Sequence, residues 1–159
     1  MIVSDEFKKL LGLWTTGVTI VTSCAGEKIH GMTVSAFSEV SVDPPLVLVC
    51  CDESSNTHPV IAEGGVFAVN VLARDQEALS NRFALKKDEW KRFEGLAWET
   101  QVTGAPIFPE VVAALDCRVV SAHSAGDHVI YVGEVEWLRV DASRQPLLYQ
   151  AGSYGYFTP

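Results

Sequence analysis

The run His30-Gly31-Met32-Thr33-Val34-Ser35-Ala36-Phe37 is followed by an apolar segment, Pro45-Leu46-Val47-Leu48-Val49-Cys50-Cys51, and then by a small polar cluster, Asp52-Glu53-Ser54-Ser55-Asn56-Thr57. Alternation along an extended chain places Thr33, Ser35 and Phe37 on one face, with Val34 and Ala36 on the other. Small side chains from 33 to 36 let a flat group approach the backbone, whose N–H and C=O groups can bond its ring edges. Ser54, Ser55, Asn56 and Thr57 stand at a predicted helix start. Free N–H groups and the helix dipole favour a phosphate there, and hydroxyls add donors. Ledge and cluster together suit a flat ring that carries a phosphate tail. Each also has a plainer reading: a strand with a polar face, and N-capping by Ser, Asn or Thr.

Two further groups invite the same double reading. Arg82-Phe83-Ala84 ends a predicted helix, with Lys86 and Lys87 behind it. Arg82 is either a partner for the helix dipole or a cation beside a phosphate, with Phe83 packing against a ring or its side chain. Gly126-Asp127-His128 lies at the mouth of the strongest hairpin, where Gly-Asp is good turn chemistry. His128 there can also hydrogen-bond to, or stack on, a second cofactor entering over the ring. Tyr154 and Tyr156, in a glycine-punctuated tail, either close that pocket or seal a subunit contact. The sequence has no G-x-G-x-x-G after a strand, no P-loop, no G-x-S-x-G and no H-E-x-x-H. His30, His58, His123 and His128 lack the spacing of metal ligands, and nothing supports a Cys51/His30 nucleophilic pair.

The elements that must position these residues read mostly as strands. Ser4-Asp5 starts a helix with an apolar stripe of Phe7, Leu10, Leu11 and Trp14. Residues 17–23 alternate and are rich in β-branched residues, and Ala25-Gly26-Glu27-Lys28 turns them back into a strand that includes Met32 to Val42. The unbroken apolar run Leu46 to Cys51 predicts a strand buried on both faces. A short helix follows Thr57, with Pro59 in its first turn and Gly64-Gly65 closing it. Val66 to Leu72 is a strand, and Asp75 caps a helix through Phe83. Residues 86–110 read as a long excursion with little regular structure. Strands Ala114–His123 and His128–Val140 come next, then a short strand Leu147–Tyr149 and a tail. Six or more strands without βαβα alternation predict a mainly β protein, an antiparallel barrel with a few peripheral short helices.

Length and charge narrow the classes. A chain of 159 residues, 48% hydrophobic, has material for one well-buried domain. A net charge of −8 excludes broad nucleic-acid binding, so any nucleotide is held locally. Cys24, Cys50, Cys51 and Cys117 form no CxxC, and read as reduced small hydrophobes with no metal role. No signal-like N-terminus or membrane span is evident, which makes cytoplasmic residence the expectation.

Several segments, in order and spacing, resemble the flavin reductases that supply reduced flavin to two-component monooxygenases. They are Thr16-Gly17-Val18-Thr19-Ile20-Val21-Thr22, the run from His30 to Phe37, and Ser41-Val42-Asp43-Pro44-Pro45-Leu46-Val47-Leu48-Val49. Phe67-Ala68-Val69-Asn70-Val71-Leu72, Arg82-Phe83-Ala84, Gly126-Asp127-His128 and Gly133-Glu134-Val135 continue the similarity, which runs from Phe7 to about Tyr154. The resemblance implies an FMN-binding split β-barrel over residues 1–159 as a single domain, usually a homodimer with flavin near the subunit interface. It implies cofactor binding by Met32, Thr33, Val34, Ser35 and Ala36, with Thr33 to Ala36 meeting the isoalloxazine. Cys50, Cys51 and Asp52 would line the ribityl path, and Phe83 would pack nearby. Ser54, Ser55 and Thr57, with Arg82, would hold the phosphate, while His128 and Tyr154 would contact the nicotinamide of NADH or NADPH. Glu53 followed by Ser54-Ser55-Asn56 stands where relatives often carry a basic residue, and Ser153 where many carry Arg or Lys. Fewer cations for a pyrophosphate favour FMN over FAD. The implied activity is hydride transfer from NAD(P)H to flavin, with an oxygenase as recipient. The alternatives are a non-catalytic FMN-binding or electron-transfer flavoprotein, and an enzyme like the pyridoxamine-phosphate oxidases.

Overall fold

Period-two alternation of β-branched and aromatic residues produces ten strands in the computed structural model, which describes residues 2–158. The order is α1 (Ser4–Gly12), β1 (Thr16–Gly17), β2 (Thr19–Ala25), β3 (Lys28–Val34), β4 (Phe37–Ser41), β5 (Leu46–Asp52), α2 (His58–Gly64) and β6 (Val66–Val71). It continues with α3 (Glu77–Ala84), a 3-10 turn (Glu89–Lys91), β7 (Ala113–Ala125), β8 (His128–Val140), β9 (Leu147–Gln150) and β10 (Ser153–Tyr156). Seven strands form one sheet in the order β3-β2-β6-β7-β8-β5-β4, and β1-β9-β10 form a second. All ladders are antiparallel. The architecture is the expected antiparallel β class with short peripheral helices, and the large sheet is an open, split barrel whose edges β3 and β4 do not pair with each other.

That seam corrects the expectation of one strand from Met32 to Val42. The chain leaves β3 at Val34 and enters the opposite edge strand at Phe37. Phe37 N–H bonds Ser35 O at 3.0 Å, and Cys50 N–H bonds Ala36 O at 3.0 Å, so Ala36 is already registered on β5. The small residues of the ledge are where the backbone crosses from one edge of the sheet to the other.

The core lies on both sides of β2 and β6. Val18, Ile20, Ala68, Leu72, Phe83, Ile107 and Phe108 form one cluster, while Val21, Val34, Val47, Val49, Cys51, Phe67 and Tyr131 form another. Adjacent residues such as Ile20 and Val21, or Phe67 and Ala68, feed different clusters because strand side chains alternate. Doubly buried strands are therefore β2 and β6, whereas β5 alternates between buried and half-buried positions, contrary to its unbroken apolar run. The excursion at 86–110 has little regular structure, as expected, with only the 3-10 turn at Glu89–Lys91, yet Phe93, Ala105, Ile107 and Phe108 pack into the first cluster. The tail adds β10, paired with β9.

Helix α1 forms where predicted, but none of its residues is buried, and Phe7, Leu10, Leu11 and Trp14 are 51, 63, 52 and 76% exposed. Helix α2 presses against β2 at Gly64, where a Cβ would sit 1.8 Å from the Cys24 carbonyl oxygen. Only glycine permits that approach. Asp75 does not cap α3; Gln76 precedes the helix instead, its Oε1 accepting Ala73 N–H at 2.8 Å. No helix among the described residues is long and apolar enough to cross a membrane.

Candidate functional site

A groove runs between β3 and α3. Its wider part, about 350 Å³, is walled by Thr33, Ser35, Ser80, Asn81, Tyr149 and Tyr154. Its narrower part, about 160 Å³, is walled by Asp52, Ser54, Ser55, Lys86, Glu89 and Arg92. Thr33 and Ala84 line both, so the two parts adjoin.

The wider part is held by hydrogen bonds among three elements. Thr33 Oγ1 donates to Ser80 O at 2.6 Å, fixing β3 to α3. The Tyr154 hydroxyl lies 2.8 Å from Ser80 Oγ and donates to Asn81 Oδ1 at 2.9 Å, fixing β10 to the same helix. The Tyr149 and Tyr154 rings meet edge to face at 5.4 Å. Alternation turns Thr33 toward the groove and sends Val34 into the barrel core at 7% exposure.

The narrower part is a turn closed by its own side chains. Asp52 Oδ1 accepts the Ser54 N–H and hydroxyl, both at 2.7 Å. These two bonds, led by the hydroxyl, hold the Asp52 carboxyl below the usual carboxylate range, with smaller help from His128 and Lys86. Ser55 Oγ accepts His58 N–H at 3.1 Å, so Ser55 satisfies the start of α2 in place of Thr57. Arg92, 5% exposed, donates to Gly31 O at 2.8 Å and Leu85 O at 2.5 Å, and pairs with Glu89 at 3.1 Å. Its Nε has no partner among the described residues.

This donor set fits a flavin mononucleotide. The Ser54 and Ser55 hydroxyls, the Lys86 ammonium and the Arg92 guanidinium line a small cavity with the Asp52 and Glu89 carboxylates, and the hydroxyls and cations suit a phosphomonoester. The wider part sets hydroxyl and amide groups beside Val18, Ala84 and the tyrosine rings, which suits a flat ring with polar rims.

Several predicted site residues stand elsewhere. Met32, Thr33, Ser35, Asp52, Ser54, Ser55, Phe83 and Tyr154 line the groove. Val34 and Cys51 face the barrel core, and Cys50, Cys51's neighbour on β5, and the exposed Ala36 line neither part. Thr57 is fully buried, its Oγ1 2.7 Å from His30 Nδ1, so its hydroxyl is committed away from the groove. Arg82 belongs to a different cavity, where its guanidinium donates to Lys91 O at 2.7 Å and Glu94 O at 2.5 Å. Phe83 is fully buried, packed edge to face on Phe93 and Phe108, and supports the groove floor from beneath. His128 lines neither part; its Nδ1 lies 2.7 Å from Asp127 Oδ1, and it pairs with Asp52 across the β5–β8 ladder. Within one chain His128 therefore stands outside the groove that Tyr154 lines. Lys86, behind the Arg82-Phe83-Ala84 helix end, lines the groove, and Ser80, Asn81, Glu89 and Arg92 are groove residues with no counterpart among the candidates above. Ser80 and Asn81 stand four and three residues before Ala84, a spacing that puts them on one side of α3.

Comparison with known proteins bears on the chain as a whole. A family model described as "Flavin reductase like domain" matches residues 11–158. An FMN reductase (NADH) of Agrobacterium fabrum is 44% identical over 156 residues, covering 98% of this chain and 87% of that protein. A reductase subunit of a flavin-dependent monooxygenase from Rhodococcus jostii is 35% identical, covering 97% of this chain and 78% of that one. The solved structure of an NADH:FAD oxidoreductase of Streptomyces globisporus superposes with a TM-score of 0.93 at 31% identity, covering 100% of this chain and 98% of that chain.

Proposed function

The chain belongs to the flavin reductase-like family, and we infer that it is an NADH-dependent flavin reductase that passes reduced flavin to a partner oxygenase. The single observation that carries the reading is the pair of adjoining cavities between β3 and α3, with ring-sized space in one and a phosphate-sized donor cluster in the other. Relatives named as FMN and FAD reductases support flavin as acceptor and NADH as donor. They do not favour a non-catalytic flavoprotein or a pyridoxamine-phosphate oxidase. NADPH is a second candidate donor.

Flavin, when bound, supplies the ring that accepts hydride from the nicotinamide. The protein's part is positional. Ser54, Ser55, Lys86 and Arg92 would hold the phosphate, while Thr33, Ser35 and Asn81 would orient the ring edges. Tyr154, tied to Ser80 and Asn81, would keep the mouth of the slot in shape for the nicotinamide. No general acid–base pair is required of the side chains, because proximity and fixed dipoles carry the rate. Arg82 acts in this reading through the backbone carbonyls of 91 and 94, not through the phosphate.

We extend the reading to one domain over residues 1–159, a homodimer and cytoplasmic residence. The exposed stripe of α1 supports self-association, since a helix with no buried residue gains stability only by covering its apolar face. A second subunit would also bring its own His128 to the site, which one chain leaves distant from Tyr154. Four free cysteines suit a reducing compartment. Steady-state oxidation of NADH with and without added FMN tests the activity. A protein-dependent rate that rises with FMN is expected; a rate equal to the protein-free control would overturn it.

A further inference from the structure

We propose that Glu89 is a positioning residue for the phosphate end, a latch that holds the 85–94 segment against β3 and the serine-rich turn and so sets Lys86 and Arg92 beside the flavin phosphate. The proposal rests on the flavin reading above. The Glu89 carboxylate collects donors from three parts of the chain: Arg92 at 3.1 Å, Asn56 Nδ2 at 3.3 Å and His30 Nε2 at 3.4 Å. His30 is fixed from behind by Thr57, whose buried Oγ1 lies 2.7 Å from Nδ1. A neutral imidazole that donates from Nε2 to Glu89 and accepts at Nδ1 from Thr57 satisfies both contacts. Burial, and next the Arg92 guanidinium, favour that neutral form. Arg92 completes the assembly by donating to Gly31 O on β3 and Leu85 O at the foot of the segment. The latch therefore joins β3, the 53–57 turn and the segment that supplies both cations of the narrower cavity.

Charge alone gives the opposite sign to this proposal. A carboxylate beside a phosphate repels it, so deleting Glu89 would tighten FMN binding if the residue acted only through its field. As a latch it does the reverse, because freeing the segment unseats two cations that make charge-assisted bonds. Riboflavin, which lacks the phosphate, separates the two effects from general damage to the groove.

The test is fluorescence titration of FMN and of riboflavin against wild type, Glu89→Ala, Glu89→Gln and His30→Ala, with thermal melting of each flavin-free protein. In Glu89→Ala the FMN Kd should rise about tenfold, the loss of roughly one charge-assisted bond. The riboflavin Kd should stay within about twofold in the same variant. Glu89→Gln, which keeps an acceptor, should fall between, and His30→Ala combined with Glu89→Ala should cost less than the sum of the two. If Glu89→Ala does not fold, Glu89→Gln and His30→Ala carry the same FMN-to-riboflavin comparison. FMN affinity unchanged or raised, or FMN and riboflavin weakening in step, would overturn the latch. Wild-type protein that binds neither flavin would overturn the functional reading beneath it instead.

Discussion

The Tyr154 hydroxyl lies 2.8 Å from Ser80 Oγ, so the last strand of the chain is bonded to the helix that forms one wall of the groove. Ser80 is fully buried, and its hydroxyl has no access to water as a substitute partner. The pair couples the shape of the slot to the docking of the tail.

Tyr154→Phe should therefore cost about 1–2 kcal/mol, the price of a buried hydroxyl left unpaired, and lower Tm by a few degrees. The KM for NADH should rise more than the Kd for FMN. Melting curves and steady-state kinetics check both, and a variant indistinguishable from wild type in either would remove Tyr154 from the mouth of the slot.

His128→Ala should raise the KM for NADH by about tenfold, on the scale of one lost polar contact, while the FMN Kd holds. The residue lines neither part of the groove and reaches its phosphate end only as the neighbour of Asp52 across the β5–β8 ladder. Unchanged KM and kcat would count against its assignment to the nicotinamide.

Gly64→Ala should destabilise the fold by about 1–3 kcal/mol or more, since the added Cβ must displace the β2 backbone at Cys24. Its flavin affinity per folded molecule should not change, because α2 packs behind the site. Denaturant melts set against flavin titration separate the two effects.

Acid should loosen the fold through His30. Burial, then the Arg92 charge, lowers its pKa from the ordinary 6.5. Below that value the unfolded chain takes up a proton that the folded chain refuses. This contribution to stability is therefore complete above pH 6.5 and is lost as pH falls through the lowered folded value. His30→Gln should flatten the fall in Tm between about pH 7 and pH 5, and an unaltered slope would contradict the sign.

Much of the fold was legible because runs rich in β-branched residues at 17–23, 66–72, 114–123 and 128–140 are bounded by turn residues. The burial of β5 was not: an apolar run signals burial on two faces, but β5 feeds only the cluster of Val47, Val49 and Cys51, and its other face is only half covered. The ledge was recognised at Thr33 and Ser35, yet its break at Ser35-Ala36 carries no Gly or Pro to mark it. Thr57 and Arg82 have the right chemistry for a phosphate and are drawn off by nearer partners, His30 Nδ1 and the carbonyls of 91 and 94. Lys86, Glu89 and Arg92 sit in a segment without periodicity, where only three-dimensional contact reveals a role.

Anaerobic stopped-flow mixing of protein and FMN with NADH, followed by flavin absorbance, is the most direct measurement. Rapid bleaching that scales with protein concentration, and that slows in Glu89→Ala at limiting FMN, is expected. Flavin that stays oxidised, or bleaches no faster than in the absence of protein, would mean that the groove between β3 and α3 does not bring nicotinamide and flavin together.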